Sequence, residues 1–385
     1  MKKRILFLVL LGVLFLNIPI QVKAEDDLIS NAKSGLLMEI STGNILYEKN
    51  IHEQVAIASM TKMMSQILIL EAVEEGKIKW EDKVQVSKNA ADFGGSQIWL
   101  TVGEIMTVKD LMKGVSMASA NDATVALAEY IYGTEEEFVK KMNEKAKELG
   151  LKNTNFVNST GLDVENHYSS SYDLALIARH LLLEHHNILE FSSVYEDYLR
   201  VDTPNKFWLV NTNKLIRFYE GADGLKTGHT DAAKYCMAVT SKRSDMRLLA
   251  VVLGEETAAI RNEETSKLLD YGFNSYKIQL LKSKKEVVKE IQINKANKDK
   301  VAIIPKDDVS ILLRKNENQG EYTYETNINE IKLPIKKGDT VGKLIVKTKE
   351  GKSIKEVDLT VDRNISKISF LKLWGNFIRN IITGG

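Results

Sequence analysis

Along this chain, stretches with an apolar residue at every second position alternate with stretches where one recurs every third or fourth. Gly35-Leu36-Leu37-Met38-Glu39-Ile40 and Ile45-Leu46-Tyr47-Glu48 read as strands, with Ser41-Thr42-Gly43-Asn44 as the hairpin turn between them. Met60, Met63, Met64, Ile67 and Leu70 fall at helical spacing and predict a helix that opens around Ser59 and ends near Glu74-Glu75-Gly76. Leu111, Met112, Val115 and Met117 begin a second helical region, which Ser119-Ala120-Asn121-Asp122 interrupts before it resumes at residues 123–130. Thr134-Glu135-Glu136-Glu137 forms a capping box for a helix that stops at Gly150, and residues 171–183 predict another. Alternation returns at Phe207-Trp208-Leu209-Val210 and in two apolar strands at residues 235–240 and 248–253, before a helix over about residues 257–271. A hairpin, an all-helical middle, then strands and a closing helix predict an α+β domain in which one antiparallel sheet gathers both ends.

The pattern changes beyond Phe273. Residues 277–362 are lysine-rich with short alternating runs such as Val301-Ala302-Ile303-Ile304 and Val357-Asp358-Leu359-Thr360-Val361, which predict a small all-β domain without a cluster that suggests chemistry. In residues 363–385, Ile365, Ile368, Leu371, Trp374, Ile378 and Ile381 recur every three or four positions beside Lys367, Lys372 and Arg379. That stretch suits a basic amphipathic helix lying on a membrane surface and is too short and charged to span one. At the other end, Lys2, Lys3 and Arg4 precede an apolar run and the small residues of Val22-Lys23-Ala24, the layout of a secretory leader over residues 1–24. The first globular domain is then expected over residues 25–276.

Composition narrows the classes. With 385 residues, 44% of them hydrophobic and 27% charged, the chain is long enough for two ordinary globular units. A formal net charge of +1 gives no global reason to bind nucleic acid. The six histidines show no H-E-x-x-H or H-x-x-E-H spacing, and the adjacent His185-His186 pair is not a metal motif, so neither a metal nor another cofactor is expected. Cys236 is the single cysteine, so an exported fold has no internal disulfide, and its apolar run reads as a buried strand.

Candidate chemistry rests on three short motifs in order: Ser59-Met60-Thr61-Lys62, Ser119-Ala120-Asn121 and Lys226-Thr227-Gly228. Each is degenerate, and Ser-x-x-Lys also occurs at Ser30 and Ser369; only this triplet combines a helix start, an inter-helix loop and a strand. Acyl transfer from a peptide needs a nucleophile, a proton acceptor and donors for an oxyanion. Ser59 supplies the first, and Lys62, one turn later and kept neutral by nearby cations, supplies the second. Ser119 is placed to pass a proton to the leaving amine, and Asn121 to hold the substrate backbone and orient Lys62. Lys226 offers fixed positive charge near Lys62 and a substrate carboxylate, Thr227 a hydrogen bond to that carboxylate, and Gly228 close approach of the strand. His229 is expected to act through its backbone N–H.

These residues resemble the low-molecular-mass penicillin-binding proteins that are serine-type D-alanyl-D-alanine carboxypeptidases. Gly94-Gly95-Ser96-Gln97, Asn166-His167-Tyr168-Ser169-Ser170, Asp173-Leu174-Ala175 and the flanks of Lys226-Thr227-Gly228 are similar to family stretches, and the leader, β domain and basic tail match the family layout. The resemblance implies a β-lactamase/transpeptidase-like catalytic domain. It further implies acylation of Ser59 by a peptidoglycan stem pentapeptide with loss of the terminal D-alanine, an oxyanion hole from the N–H groups of Ser59 and His229, and acylation by penicillin and other β-lactam antibiotics. Ala120 and Lys234 depart from the family's usual residues. A class A β-lactamase is the nearest rival, but no E-x-x-L-N run follows Ser119; a non-catalytic wall-binding protein is the rival from another class.

Overall fold

The computed structural model describes residues 27–293, 296, 300–317 and 320–368. The leader expected over residues 1–24 and the part of the expected amphipathic stretch from residue 369 onward lie outside them. The first unit is built on a five-stranded antiparallel sheet. Its strands are β1 (Ser34–Glu39), β2 (Ile45–Lys49), β3 (Ala222–Thr230), β4 (Lys234–Arg243) and β5 (Met246–Glu255), in the spatial order β2-β1-β5-β4-β3. Strands from both ends of the unit therefore pair, with Leu36 opposite Val251 and Leu37 opposite Ala250.

Period-two alternation decides what each face of the sheet meets. Leu37, Met237, Val239, Leu248, Ala250 and Val252 face Leu268, Leu269 and Phe273 of the helix Ala258–Ser275. Leu36, Met38, Ala238, Leu249, Val251 and Leu253 join the core of the helical layer on the other side. That layer contains α1 (Lys62–Glu74), α2 (Asn121–Tyr132), α3 (Glu135–Glu148) and α4 (Ser171–Glu184), and the closing helix Ala258–Ser275 is α5. In α1 the residues Met63, Met64, Ile67, Leu68, Ile69 and Leu70 are all buried, so its first two turns are enclosed on every side and lie at the centre of the unit. Each such side chain contributes about 1.5–3 kcal/mol of burial free energy. The rigidity this gives to α1 is what holds a reactive group at its N-terminal end.

The second unit is all β. Tyr276–Lys282 pairs with Val309–Arg314, and five further strands form an antiparallel sheet around Val301, Ile303, Leu344, Val346, Leu359 and Val361. Here the structure corrects one expectation. Residues 363–368, read as the start of the amphipathic helix, are not helical: Ile365 forms a bridge with Ile335 and is buried in this core. Its three-to-four spacing with Ile368 is outweighed by the two backbone hydrogen bonds it exchanges with Ile335. Among the described residues no helix is long and apolar enough to cross a membrane.

Candidate active site

Ser59 lies not in regular α-helix but in a 3₁₀ turn, Ala58–Thr61, that leads into α1. The turn begins with Ala58 in the left-handed region at φ 46°, a conformation that costs a non-glycine residue about 1–2 kcal/mol. Surrounding contacts hold it there. The Thr61 hydroxyl donates to the Ala58 carbonyl at 2.9 Å, and the buried His167 ring bonds Thr61 Oγ1 through Nε2 at 2.8 Å. Because Val157 N–H donates to His167 Nδ1 at 3.1 Å, Nε2 carries the ring proton and donates to Thr61. Desolvation pushes the imidazole down to about 4, so it is neutral at ordinary pH. Gly161, at φ 89°, closes the turn from the other side: a Cβ there would sit 1.9 Å from the Ala58 carbonyl oxygen.

Lys62 is fully buried, and its Nζ has three oxygen neighbours. They are Ser59 Oγ at 3.0 Å, Asn121 Oδ1 at 2.6 Å and the Thr160 carbonyl at 2.7 Å. Two of these only accept, so they take two amine hydrogens and fix the third direction of the nitrogen toward the serine. Burial lowers the lysine well below its ordinary value, the Lys226 ammonium lowers it further, and the buried Asp122 carboxylate opposes both. Desolvation, rather than the neighbouring cations expected from sequence, is thus the larger cause of neutrality. A neutral amine in this setting offers its lone pair to the Ser59 hydroxyl.

Ser119 and Asn121 reach the site from a break in helical structure. The helix Val108–Lys113 widens into a π turn over Gly114–Ala118, after which Ser119 adopts φ 60° and α2 starts at Asn121. Ser119 is buried, its hydroxyl has no hydrogen-bond partner among the described residues, and it makes no direct bond to Ser59 or Lys62. Asn121 is held at both ends: its N–H donates to the Ser96 carbonyl at 2.7 Å and its Nδ2 to the Gly94 carbonyl at 2.7 Å. Asp122 accepts from the N–H groups of Ile98 and Leu100, tying the Gly94–Leu100 loop to α2. The Gly94–Leu100 loop, part of it singled out above as a family-like stretch, therefore stands beside Asn121.

Strand β3 supplies the opposite wall. Lys226 is buried and donates to the Thr227 carbonyl at 2.7 Å. Desolvation first, and the Arg261 guanidinium second, bring it down to about 7. Lys226 is consequently not the fixed cation that its residue type suggests, and a bound carboxylate would complete its charge. The Thr227 hydroxyl donates to Thr212 Oγ1 at 2.7 Å. Gly228 lies close to the Ser59 backbone itself: a Cβ there would meet the Ile57 carbonyl at 3.0 Å and Ser59 N at 3.1 Å, tighter than ordinary contact. That contact brings β3 against the Ser59 backbone. His229 has an exposed imidazole stacked on Tyr235 with centroids 4.1 Å apart, clear of the buried Lys62–Asn121 network. Cys236, opposite Gly228, is buried with its thiol pushed up to about 12, an inert packing residue.

Sequence reasoning had assigned no role to Thr160, Gly161, His167 or Arg261. Thr160 acts through its carbonyl, which residue type does not encode, and Arg261 lies on α5 behind the sheet. His167 was visible only as part of a family stretch.

A family model described as D-alanyl-D-alanine carboxypeptidase matches residues 21–257, and one described as penicillin-binding protein 5, C-terminal domain, matches residues 276–367. D-alanyl-D-alanine carboxypeptidase DacF of Bacillus subtilis (strain 168) is 46% identical over 376 residues, covering 96% of this chain and 96% of its own. Among solved structures, penicillin binding protein 5 from Haemophilus influenzae aligns with a TM-score of 0.71 at 31% identity, covering 88% of this chain and 98% of its own. Penicillin-binding protein D2 from Listeria monocytogenes in its ampicillin-bound form aligns with a TM-score of 0.57 at 34% identity, over 63% of this chain and 98% of its own. With Ser59 and Lys62 in hydrogen-bond contact where its sheet meets its helical layer, the chain belongs to the D-alanyl-D-alanine carboxypeptidase family of serine peptidases.

Proposed function

We propose that Ser59 is the nucleophile that removes the terminal D-alanine from peptidoglycan stem pentapeptides. The single observation that carries this reading is the hydrogen-bond set of Lys62, whose amine has Asn121 Oδ1 and the Thr160 carbonyl as acceptors and Ser59 Oγ as its third neighbour. Lys62 takes the serine proton as Oγ bonds to the carbonyl carbon of the penultimate D-alanine. The oxyanion is stabilised by the backbone N–H groups of Ser59 and His229. As the C–N bond breaks, Ser119 delivers its proton to the departing amine and recovers one from the Lys62 ammonium; the neutral Lys62 then takes a proton from water as that water hydrolyses the ester, and returns it to Ser59 Oγ as the acyl group leaves. Lys226 and Thr227 receive the terminal carboxylate, and Asn121 holds the peptide backbone. Penicillin acylates the same oxygen. Asp122 is committed to three backbone N–H groups, those of Ile98, Leu100 and Ala123, which supports slow hydrolysis of that acyl-enzyme over a β-lactamase activity.

The site works outside the cytoplasm. Residues 1–24 are a cleaved leader, residues 25–276 the catalytic unit and the β unit a spacer that begins at residue 277. The basic stretch beyond residue 368 lies on the outer face of the cytoplasmic membrane. Incubating the protein with a stem pentapeptide and measuring free D-alanine tests the chemistry. Ser59→Ala should lose at least about 10⁴-fold and Lys62→Ala about 10²–10⁴-fold; unchanged release in both variants would refute the assignment. Sedimentation with anionic vesicles tests the anchor: the chain ending at residue 368 should stay in the supernatant while the full chain pellets.

A further inference from the structure

A second cluster of chemically capable side chains lies at the far end of the nucleophile helix. Glu71 on α1, His180 on α4 and His185 just past the end of α4 each offer a ligand atom, and the three atoms lie within 4.8 Å of one another. Glu71 is nine residues beyond Lys62, or about 13 Å along the axis at about 1.5 Å per residue, so the cluster is separate from the catalytic serine. The chain leaves α4 at His185 with φ −121° and ψ 54°, and this turn brings His185 back against His180, ring centroids 5.4 Å apart.

The protonation pattern prepares the cluster for a cation. His185 is 5% exposed, and its Nδ1 lies 2.9 Å from Glu74 Oε2. A carboxylate there holds the proton on Nδ1, which leaves the Nε2 lone pair free; this is the carboxylate–histidine arrangement that orients metal-ligating imidazoles. That Nε2 is buried without a hydrogen-bond partner, 4.0 Å from Glu71 Oε1. The Nε2 atom of His180 is likewise buried and unpartnered. Two orphaned imidazole nitrogens around one carboxylate are costly in an apolar setting, and an ordinary core histidine would have found a donor or acceptor. The competing cation is Lys145, 2.8 Å from Glu71 Oε1, but it also bonds Glu148 Oε2 at 2.7 Å and so retains a partner.

We propose that Glu71, His180 and His185 form a structural zinc site, with Zn²⁺ bound by the Glu71 carboxylate and Nε2 of each histidine and by one water. Two imidazoles and a carboxylate with an open fourth position match the donor set and tetrahedral geometry that Zn²⁺ accepts. Bonds of about 2.0–2.1 Å require the ligand atoms to close to roughly 3.3 Å, a movement within reach of the half-buried Glu71 and His180 side chains. The bound ion pins the C-terminal end of α1 to α4 without entering the reaction.

The test uses the full chain freed of metal by a chelator and titrated with Zn²⁺ alone by calorimetry, with Co²⁺ as a spectroscopic probe. The expected result is one equivalent bound at a Kd on the order of micromolar, a rise in Tm on binding, and the visible absorption of tetrahedral Co²⁺. Ser59→Ala should bind identically, whereas His180→Gln and His185→Gln should weaken binding about 100-fold or more. Should His185→Gln fail to fold, the half-buried His180→Gln decides. Wild-type affinity weaker than about 1 mM, or tight binding that survives His180→Gln, overturns the proposal.

Discussion

At the scale of single residues, the site works by withholding water from two lysines and letting their protonation diverge. Lys226 falls to about 7 and Lys62 is held well below its ordinary value. A charged Lys226 favours carboxylate capture, and its deprotonation in the free enzyme removes that attraction as pH rises through about 7. The expected outcome is an alkaline fall in kcat/KM for D-alanine release that is carried by KM, and its disappearance in Lys226→Arg, whose guanidinium stays charged. A KM that stays constant through the neutral range contradicts this. Ser119 carries a different cost, a buried hydroxyl without a partner. Ser119→Ala should therefore raise stability by about 1 kcal/mol, a Tm gain of roughly 2–4 °C, while D-alanine release drops about 10²-fold or more. A lower Tm would mean that the folded protein already satisfies this hydroxyl. Ser59, Lys62, Ser119, Asn121, Lys226 and Thr227 could be picked out of the sequence because acyl transfer calls for their side-chain types. The state of Lys226 could not, since it depends on depth of burial and on Arg261 from a helix behind the sheet.

At the scale of elements, one irregular turn is buttressed by a loop. Gly161 abuts the Ala58 carbonyl, Thr160 accepts from Lys62, and His167 locks Thr61 to Ala58. Gly161→Ala drives a Cβ into that carbonyl and strains a backbone at φ 89°, so the loop must retreat and Lys62 lose its acceptor. Penicillin acylation should fall about 10²-fold, with stability lowered by about 2–4 kcal/mol. Acylation at the wild-type rate would show that the Thr160 contact is dispensable. His167 adds a pH dependence, because Val157 N–H occupies the position where a second ring proton would go. Its pKa is lowered on folding from 6.5 to about 4, with Asp163 opposing and Lys62 reinforcing the effect of burial. The stability it protects is complete above pH 6.5 and is lost as pH falls through about 4, to a total of about 3 kcal/mol. In urea titrations the stability gap between wild type and His167→Gln should narrow by about that amount from neutral pH to pH 4; a constant gap rules it out. The hairpin, α1 and the closing strands were readable from apolar periodicity. The 3₁₀ turn and the π turn before Ser119 were not, because period alone does not report where a backbone departs from regular helix to aim a side chain.

At the scale of the whole molecule, the catalytic site and the β unit occupy different parts of the chain. Every residue placed in the site, together with Thr160, His167 and Arg261, precedes Tyr276. The contacts between the β unit and the first include Lys315 N–H on the Ser275 carbonyl at 2.9 Å, Arg314 over the Tyr276 ring at 5.2 Å, and Ile278 and Leu312 packed beside Phe273 and Tyr276, with Lys355 near Glu39 and Arg179. Ile278 and Leu312 are themselves partners across one strand pair, so they leave together when the chain is cut before that pair. A protein of residues 25–276 therefore loses both strands and should keep penicillin acylation within about 2-fold of the full chain, since no contact of Ser59, Lys62 or Lys226 changes. Cutting only a few residues later, after Lys282, should behave worse. It leaves Tyr276–Lys282 without Val309–Arg314, an unpaired edge strand bearing Ile278 and the exposed Leu280. Gel filtration should find the shorter protein monomeric at concentrations where the longer one associates, although both label with fluorescent penicillin. If the shorter protein is the one that aggregates or fails to label, the β unit is part of the catalytic fold rather than a spacer between it and the membrane.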